Sequence, residues 1–281
     1  MLKKPEWLRR PYIENSNSQA IEGILDRSRL ATVCREANCP NLMECFSRGT
    51  ATFMILGTNC TRDCRFCNVK IGVPSEIDED EPNKVAQAVD ELGLSYVVIT
   101  SVTRDDLPDG GADHFSKTIR EIKDISPKTT IEVLIPDFGG DIAALKTVVS
   151  AFPDVISHNM ETVPSLYHKV RPQAEYQRSL TVLKNIKRLS PNIRSKTGIM
   201  LGLGEARKEV CELFVDLIGV GCEFLTIGQY LAPSKDHISV SEYISPEIFD
   251  EYAKIAREMG FAFVASGVFV RSSYNAQEAF S

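Results

Sequence analysis

The sequence predicts an α/β protein whose strands build a partial (β/α)6 TIM-like barrel, left open, with N- and C-terminal extensions; a doubly wound open sheet is the second architecture that fits. Three observations carry this. From Phe53 onward, short β-rich runs alternate strictly with amphipathic helical stretches. The runs are nearly continuous in apolar residues, as in strands buried on both faces of a parallel sheet, and their alternation with helices implies right-handed crossovers. Six or seven such units are fewer than the eight that close a barrel.

FMILGT (53–58) is the first strand. Pro82, suited to a first helical turn, opens a helix over 82–93. SYVVITSV (95–102) follows, then a helix over 112–124, the strand TIEVLIP (130–136), a helix over 140–151 and the strand DVISHNM (154–160). A helix over 175–189 leads to SKTGIMLGL (195–203), a helix over 205–219, EFLTIGQYL (223–231), a helix over 246–259 and FAFVASGVFV (261–270). Ligands of such a sheet lie at the carboxyl ends of the strands, where Thr103, Asn159, Gly204 and Gln229 fall.

With 281 residues, 43% of them hydrophobic, the chain can bury a large core, which excludes a disordered tail or a disulfide mini-protein. A net charge of -6 disfavours nucleic acid as a partner. No run approaches the roughly 18 to 20 apolar residues of a membrane span, and the N-terminal stretch lacks a signal-peptide core. An organelle protein with its transit segment missing is the alternative to the expected cytoplasmic protein with no membrane partner. In that reducing compartment, clustered cysteines point to metal ligation before disulfides. Six of the eight cysteines fall between positions 34 and 67.

Cys60, Cys64 and Cys67 have the spacing C-x3-C-x2-C directly after the first strand. Three thiolates so close suit three irons of a 4Fe-4S cubane and leave the fourth iron open to chelate a small molecule and pass it an electron. Structural zinc would want a fourth Cys or His, and none lies nearby in sequence. Cys34, Cys39 and Cys45 follow C-x4-C-x5-C. On one continuous helix Cys39 would face about 140° away from Cys34, and Pro40 would break it, so this segment is expected to wrap a second cluster as a loop. A shared eight-iron site is the alternative. His114, His158, His168 and His237 are too scattered to form a metal site, and Cys211 and Cys222 read as small core residues.

The C-x3-C-x2-C after the first strand resembles the signature of the radical S-adenosylmethionine superfamily. Together with the upstream triplet and the C-terminal RSSY, it is similar to the lipoyl synthase family. EANCPNLMEC, TSVTRDDLPDGGADHF, IEVLIPDF, HNMETVP, GIMLGLGE, TIGQYLAPS and VRSSYNA extend the likeness through nearly the whole chain. Thr197 stands where a serine is expected and Phe269 where a leucine is usual; both keep the chemical character.

The resemblance implies insertion of sulfur at carbons 6 and 8 of an octanoyl group carried on a lysine. It also implies two 4Fe-4S clusters. The one at Cys60, Cys64 and Cys67 would bind S-adenosylmethionine and reduce it to methionine and a 5'-deoxyadenosyl radical; the one at Cys34, Cys39 and Cys45 would donate the sulfurs. A serine of RSSY, placed on Ser273 in preference to Ser272, would ligate the last iron of the second cluster, with Arg271 supplying charge and Tyr274 packing beside it. The same likeness points Thr100, Ser101 and Thr103 at the methionine amino group. It points Asn159 and Glu161 at ribose hydroxyls, and Gly202 and Gly204 at the adenine through close backbone approach. Lys196 and Gln229 are assigned to neighbouring strand ends. The implied division is 1–50 for the auxiliary cysteines, 51–260 for the barrel and 261–281 for the strand and RSSY segment. Implied partners are octanoylated lipoyl carrier domains, namely the acyltransferase subunits of 2-oxoacid dehydrogenases and the glycine cleavage H-protein. An electron donor such as ferredoxin or flavodoxin and an iron-sulfur carrier for cluster repair complete the set. Such carriers are acidic, and the basic Lys3, Lys4, Arg9 and Arg10 are expected to help dock them.

Overall fold

Burial on both faces selects the apolar runs that become strands: Thr52–Ile55 and Phe224–Gln229 are buried at every position. The computed structural model gives the placement of residues 3–9, 16–47, 52–274 and 276–280. It falls into two compact units, one of Tyr12–Arg62 and Asn68–Ile156, the other of Met1–Pro11, Asp63–Cys67 and Ser157–Ser281.

In the first unit, α1 (Ser16–Ser28) buries Ile21, Ile24 and Leu25. β1 (Ala31–Thr32) runs antiparallel to β2 (Thr52–Ile55), and α2 (Val33–Glu36) and α3 (Leu42–Ser47) lie between them in sequence. A short parallel ladder joins β3 (Asn59–Cys60) to β4 (Lys70–Ile71). α4 (Glu81–Glu91), β5 (Tyr96–Ser101), α5 (Ala112–Ile125), β6 (Thr130–Leu134) and α6 (Ile142–Val149) then alternate, and the sheet order here is β1-β2-β5-β6. β2, β5 and β6 are parallel, with Ile55 beside Ser101 and Thr100 beside Leu134 at their carboxyl ends. α5 turns Phe115, Ile119 and Ile122 to the core, the spacing of one helical stripe. β7 (Val155–Ser157) crosses the boundary between the units.

The second unit holds α7 (Tyr167–Val170), α8 (Tyr176–Leu189), β8 (Arg194–Leu201), α9 (Arg207–Gly219), β9 (Phe224–Gln229), α10 (Pro246–Met259) and β10 (Phe263–Gly267). β8, β9 and β10 are parallel neighbours. α10 begins on Pro246 and ends at Gly260, whose φ of 107° is the left-handed cap that glycine takes without strain.

The predicted alternation is present, with shorter strands. The first ends at Ile55 because Leu56 and Gly57 have φ of 67° and 90°. α1 and the antiparallel β1 lie outside the predicted elements. The expectation that residues 34–45 wrap wholly as a loop is corrected. Thr32 accepts a hydrogen bond from the Cys34 N–H (3.2 Å) and caps α2, which carries Cys34; Cys45 lies in α3. Pro40 precedes α3, where it interrupts nothing.

Candidate active site

Cys60 ends β3, and its sulfur accepts two backbone hydrogen bonds, from the Thr103 N–H at 3.3 Å and the Arg62 N–H at 3.5 Å. Thr61 joins the two donor segments: its N–H and Oγ1 both donate to the Thr103 carbonyl (3.1 and 2.9 Å), and Oγ1 accepts from the Asp105 N–H (3.1 Å). Thr103 therefore reaches the site through its backbone. Thr100 donates to the Leu134 carbonyl (3.0 Å) and so ties β5 to β6. The hydroxyl of Ser101, last in β5, is buried with no hydrogen-bond partner. The chain leaving β2 is held by Glu81, which accepts from the Leu56 N–H (2.8 Å) and pairs with His114 (2.7 Å).

Of the other triplet, Cys34 and Cys45 lie on two short helices of this unit and Cys39 on the turn between them. The Cys39 N–H donates to the Cys34 carbonyl (3.1 Å) and the Cys45 N–H to the Asn41 carbonyl (2.8 Å), so the backbone folds tightly over 34–45. Cys34 is buried; Cys39 and Cys45 are half-buried. Asn68, the residue after Cys67, donates to the Glu36 carbonyl at 3.0 Å.

In the second unit, Cys64 and Cys67 are half-buried and lie on a turn in which the Cys67 N–H donates to the Cys64 carbonyl (2.9 Å). Phe66 packs on the cluster of Val170, Leu203 and Tyr230. Backbone hydrogen bonds between Arg65 and both Val170 and Ile238 (3.0 Å each), and a side-chain bond from His237 Nε2 to the Cys67 carbonyl (3.0 Å), fix this turn. An aromatic residue between the last two cysteines is thus an anchor for the motif. His158 bonds Ser179 (3.0 Å) in a buried network, so it supports the scaffold.

The polar centre of this unit is Asn159. Its Nδ2 donates to Glu161 Oε1 (3.0 Å) and Ser272 Oγ (2.6 Å), while its Oδ1 is buried with no partner. Arg171 donates to the Asn159 carbonyl (2.7 Å) and stacks on Tyr167. Burial raises the carboxyl pKa of Glu161, against the opposing pull of Arg171, Asn159 and Arg271. Gly198 in β8 leaves room for this cluster: a Cβ there would stand 2.7 Å from Thr226 Oγ1 and 2.9 Å from both Asn159 Oδ1 and Ser272 Oγ. Arg271 donates to the Val270 carbonyl (2.7 Å), and the Tyr274 N–H returns to the Arg271 carbonyl (3.0 Å), so Ser272 and Ser273 lie on one turn.

Three sequence expectations change. Lys196 is buried in the first half of β8, five residues before Leu201, or about 16 Å from the carboxyl end of an extended strand. It therefore does not project from that end. Gln229 does end β9, but its Nε2 donates to the carbonyls of Leu201, Tyr230 and Glu242 and its Oε1 accepts from the Ile244 N–H, so its amide braces the following segment. At Gly202 the close approach comes from the protein itself: a Cβ would meet Gln229 Nε2 and the Glu242 carbonyl at 2.3 Å. Glu205, which sequence reasoning passed over, accepts the N–H groups of Gly202 (2.6 Å) and Leu203 (2.9 Å) and shapes the GLGE turn; Gly204, at φ 112°, completes it. Cys222 is a core thiol, pushed up to about 12 by burial, whereas Cys211 is only half-buried.

Among the described residues, no three Cys, His, Asp or Glu side chains are grouped to hold a single metal ion. Other features fit an iron-sulfur cluster and its organic ligand. In the first unit the Cys60 sulfur accepts two N–H donors and the Ser101 hydroxyl is buried without a partner; in the second, Asn159 Oδ1 is a buried acceptor without a partner.

The Radical SAM superfamily matches residues 54–217. The chain is 57% identical to a lipoyl synthase of Alkaliphilus metalliredigens over 277 residues, 99% of this chain and 96% of the relative. It is 56% identical to one of Caldicellulosiruptor saccharolyticus over 276 residues, 98% of this chain and 97% of that one. The chain belongs to the lipoyl synthase family. A lipoyl synthase is a radical S-adenosylmethionine enzyme that inserts sulfur, and this membership brings one 4Fe-4S cluster and S-adenosylmethionine as cofactors. Solved structures give the same fold. Methylornithine synthase matches at a TM-score of 0.54 and 13% identity, covering 93% of this chain and 81% of its own. Streptococcus suis SuiB bound to S-adenosylmethionine matches at 0.60 and 10%, covering 80% and 54%. The fold class is the expected α/β partial barrel of the radical S-adenosylmethionine type. No described helix is long and apolar enough to cross a membrane.

Proposed function

We propose that Cys60, Cys64 and Cys67 hold the cluster that binds S-adenosylmethionine. In the same reading, Cys34, Cys39, Cys45 and Ser273 hold a second 4Fe-4S cluster that yields its sulfur to carbons 6 and 8 of an N6-octanoyl-lysine on a lipoyl carrier domain. The observation that carries this is the Asn68 to Glu36 hydrogen bond, which ties the residue following the first cluster motif to the backbone between Cys34 and Cys39. A sulfur source has to stand close to the carbon it attacks, and within the first unit this sequence-remote bond supports a place for the Cys34–Cys45 segment beside the chain that leaves the motif.

When bound, the cluster and S-adenosylmethionine supply a carbon radical able to take hydrogen from an unactivated methylene. The chain's own residues hold and orient. Backbone N–H groups of residues 62 and 103 steady the Cys60 sulfur. Within the second unit, Asn159 Oδ1 is a buried acceptor for a polar group of S-adenosylmethionine, and Arg171 with Glu161 keeps Asn159 in place. The Ser272 hydroxyl is engaged by Asn159, which favours Ser273 as the iron ligand. An alkoxide is harder than thiolate and more easily displaced from iron, as a consumed cluster requires. Arg271 on the same turn adds positive charge.

Residues 1–50 then serve the second cluster, 51–260 form the radical barrel and 261–281 bring in Ser273. The enzyme works in the cytoplasm with a ferredoxin- or flavodoxin-like donor and an iron-sulfur carrier that rebuilds the spent cluster. The exposed Lys3, Lys4 and Arg9 help dock an acidic carrier; Arg10 lies outside the described residues. Reversing these charges should slow turnover of a carrier protein and spare a short octanoyl-lysine peptide, and equal slowing of both would remove the docking role.

The deciding experiment is mass spectrometry of an octanoyl-lysine peptide incubated anaerobically with the reconstituted protein, S-adenosylmethionine and a reductant. About eight irons per chain and a product with two added sulfurs are expected. Unmodified peptide from protein that carries both clusters and cleaves S-adenosylmethionine would overturn the reading.

A further inference from the structure

We propose that Arg62 is a positioning residue for Cys60: its guanidinium, locked between Asp105 and Asp137, holds the backbone N–H groups of residues 62 and 103 on the Cys60 sulfur and so sets how readily the bound cluster is reduced. This rests on the reading of Cys60 as a ligand of the radical cluster.

Arg62 lies inside the C-x3-C-x2-C motif, yet its side chain is 7% exposed. A guanidinium is taken out of water only where carboxylates meet it well. Here Nε and Nη2 form a two-pronged bond to Asp105 (2.7 and 2.8 Å), and Nη2 also donates to Asp137 at 2.7 Å. Both partners are fixed independently. Asp137 is fully buried and its Oδ1 also accepts the Gly139 N–H (3.0 Å). The Asp105 N–H is held by Thr61 Oγ1, which itself bonds the Thr103 carbonyl.

Two segments, 60–62 and 103–105, are therefore joined twice: by Thr61 on the backbone and by the Arg62–Asp105 fork through side chains. Each segment contributes one of the two N–H groups aimed at the Cys60 sulfur, from Arg62 itself and from Thr103. The spacing of the segments fixes the Thr103 N–H···S contact, and the anchored side chain of Arg62 holds its own N–H, which lies in the same segment as Cys60, on the sulfur. Hydrogen bonds to the sulfurs of an iron-sulfur site raise its reduction potential, because the reduced state carries more negative charge. A fork engaged by two carboxylates and buried to this degree does not offer its charge to a substrate, so the effect of Arg62 runs through Cys60.

The test is an anaerobic redox titration of the reconstituted enzyme, following the paramagnetic signal that changes when S-adenosylmethionine is added. Arg62→Lys keeps the positive charge and loses the fork. Thr61→Val is nearly isosteric, changes no charge and removes the bridging hydroxyl. With iron and sulfide contents unchanged, Arg62→Lys should make cluster reduction about tenfold less favourable, a shift of about 59 mV to lower potential for one electron. Thr61→Val should shift it less in the same direction. A wild-type potential in Arg62→Lys overturns the proposal, and where that variant fails to retain the cluster, a wild-type potential in Thr61→Val does so. Absence of any S-adenosylmethionine-sensitive signal in the unmodified enzyme would instead overturn the assignment of Cys60, Cys64 and Cys67, and this inference with it.

Discussion

The two cysteine segments are built differently. Cys60 stands at the end of a strand ladder, its sulfur under two backbone N–H groups and its loop fastened by Thr61, Arg62, Asp105 and Asp137. Cys34 and Cys45 ride on helices of four and six residues. Helices that short draw almost nothing from their own backbone bonds and are marginal without support from elsewhere. A ligand set that must survive many turnovers needs a fixed first coordination sphere, whereas one that is dismantled and rebuilt in each cycle benefits from segments that open at low cost. The difference in scaffold matches the difference in fate proposed for the two clusters.

The largest effects should separate the segments by function. Cys60→Ala, Cys64→Ala or Cys67→Ala should abolish both cleavage of S-adenosylmethionine and lipoyl formation. Cys34→Ala, Cys39→Ala or Cys45→Ala should preserve cleavage and abolish only the two-sulfur product. Chromatographic assay of 5'-deoxyadenosine beside mass spectrometry of the peptide gives both readings. If a variant of the second group also lost cleavage, the segments would share one function and the contrast would collapse.

The sequence made the barrel legible because its signal is local. Near-continuous apolar runs such as SYVVITSV and amphipathic stretches such as 112–124 depend on neighbours a few residues away, and they appear as β5 and α5. The helix around Cys34 was not legible, since it is nucleated by a cap from Thr32, which is itself fixed by donating to the Thr52 carbonyl (2.7 Å) twenty residues on. Roles settled by remote partners were hidden in the same way. Glu205 reads as the end of GLGE but serves as its internal brace, and Gln229 reads as a strand-end donor but spends its amide on residues as distant as Ile244. Lys196 was misplaced for a simpler reason: periodicity locates a strand better than it says which end a residue occupies. Arg62 lay in plain view between two cysteines, but only Asp105 and Asp137 give it a task.

An intermediate effect should divide neighbouring serines. Ser273→Ala removes the proposed displaceable ligand and should cut lipoyl formation by at least about tenfold, the scale on which disturbed metal surroundings act, while cleavage of S-adenosylmethionine continues. Ser272→Ala deprives Asn159 Nδ2 of a 2.6 Å acceptor and should chiefly raise the S-adenosylmethionine concentration needed for half-maximal cleavage. Normal lipoyl formation by Ser273→Ala with an intact second cluster would transfer the ligand role elsewhere.

The smallest functional effect is expected where the scaffold is strongest but remote from chemistry. Glu223, ahead of β9, accepts from Lys187 (2.7 Å), Arg194 (2.5 Å) and the Ser195 N–H (3.2 Å). Partial burial alone would raise its pKa, but the hydrogen bonds from Lys187, Arg194 and Ser195 outweigh burial and hold it below the ordinary value of 4.5. The folded protein thus binds this proton more weakly than the unfolded chain does. The carboxylate therefore adds stability that is fully present above pH 4.5 and is lost as pH falls through the lowered folded value. Glu223→Gln should cost about 1–2 kcal/mol in chemical denaturation at neutral pH, and the difference from wild type should shrink on acidification, with turnover per loaded enzyme unchanged. A deficit that stayed constant as the pH fell would mean that packing, and not the ion pairs, gives Glu223 its value.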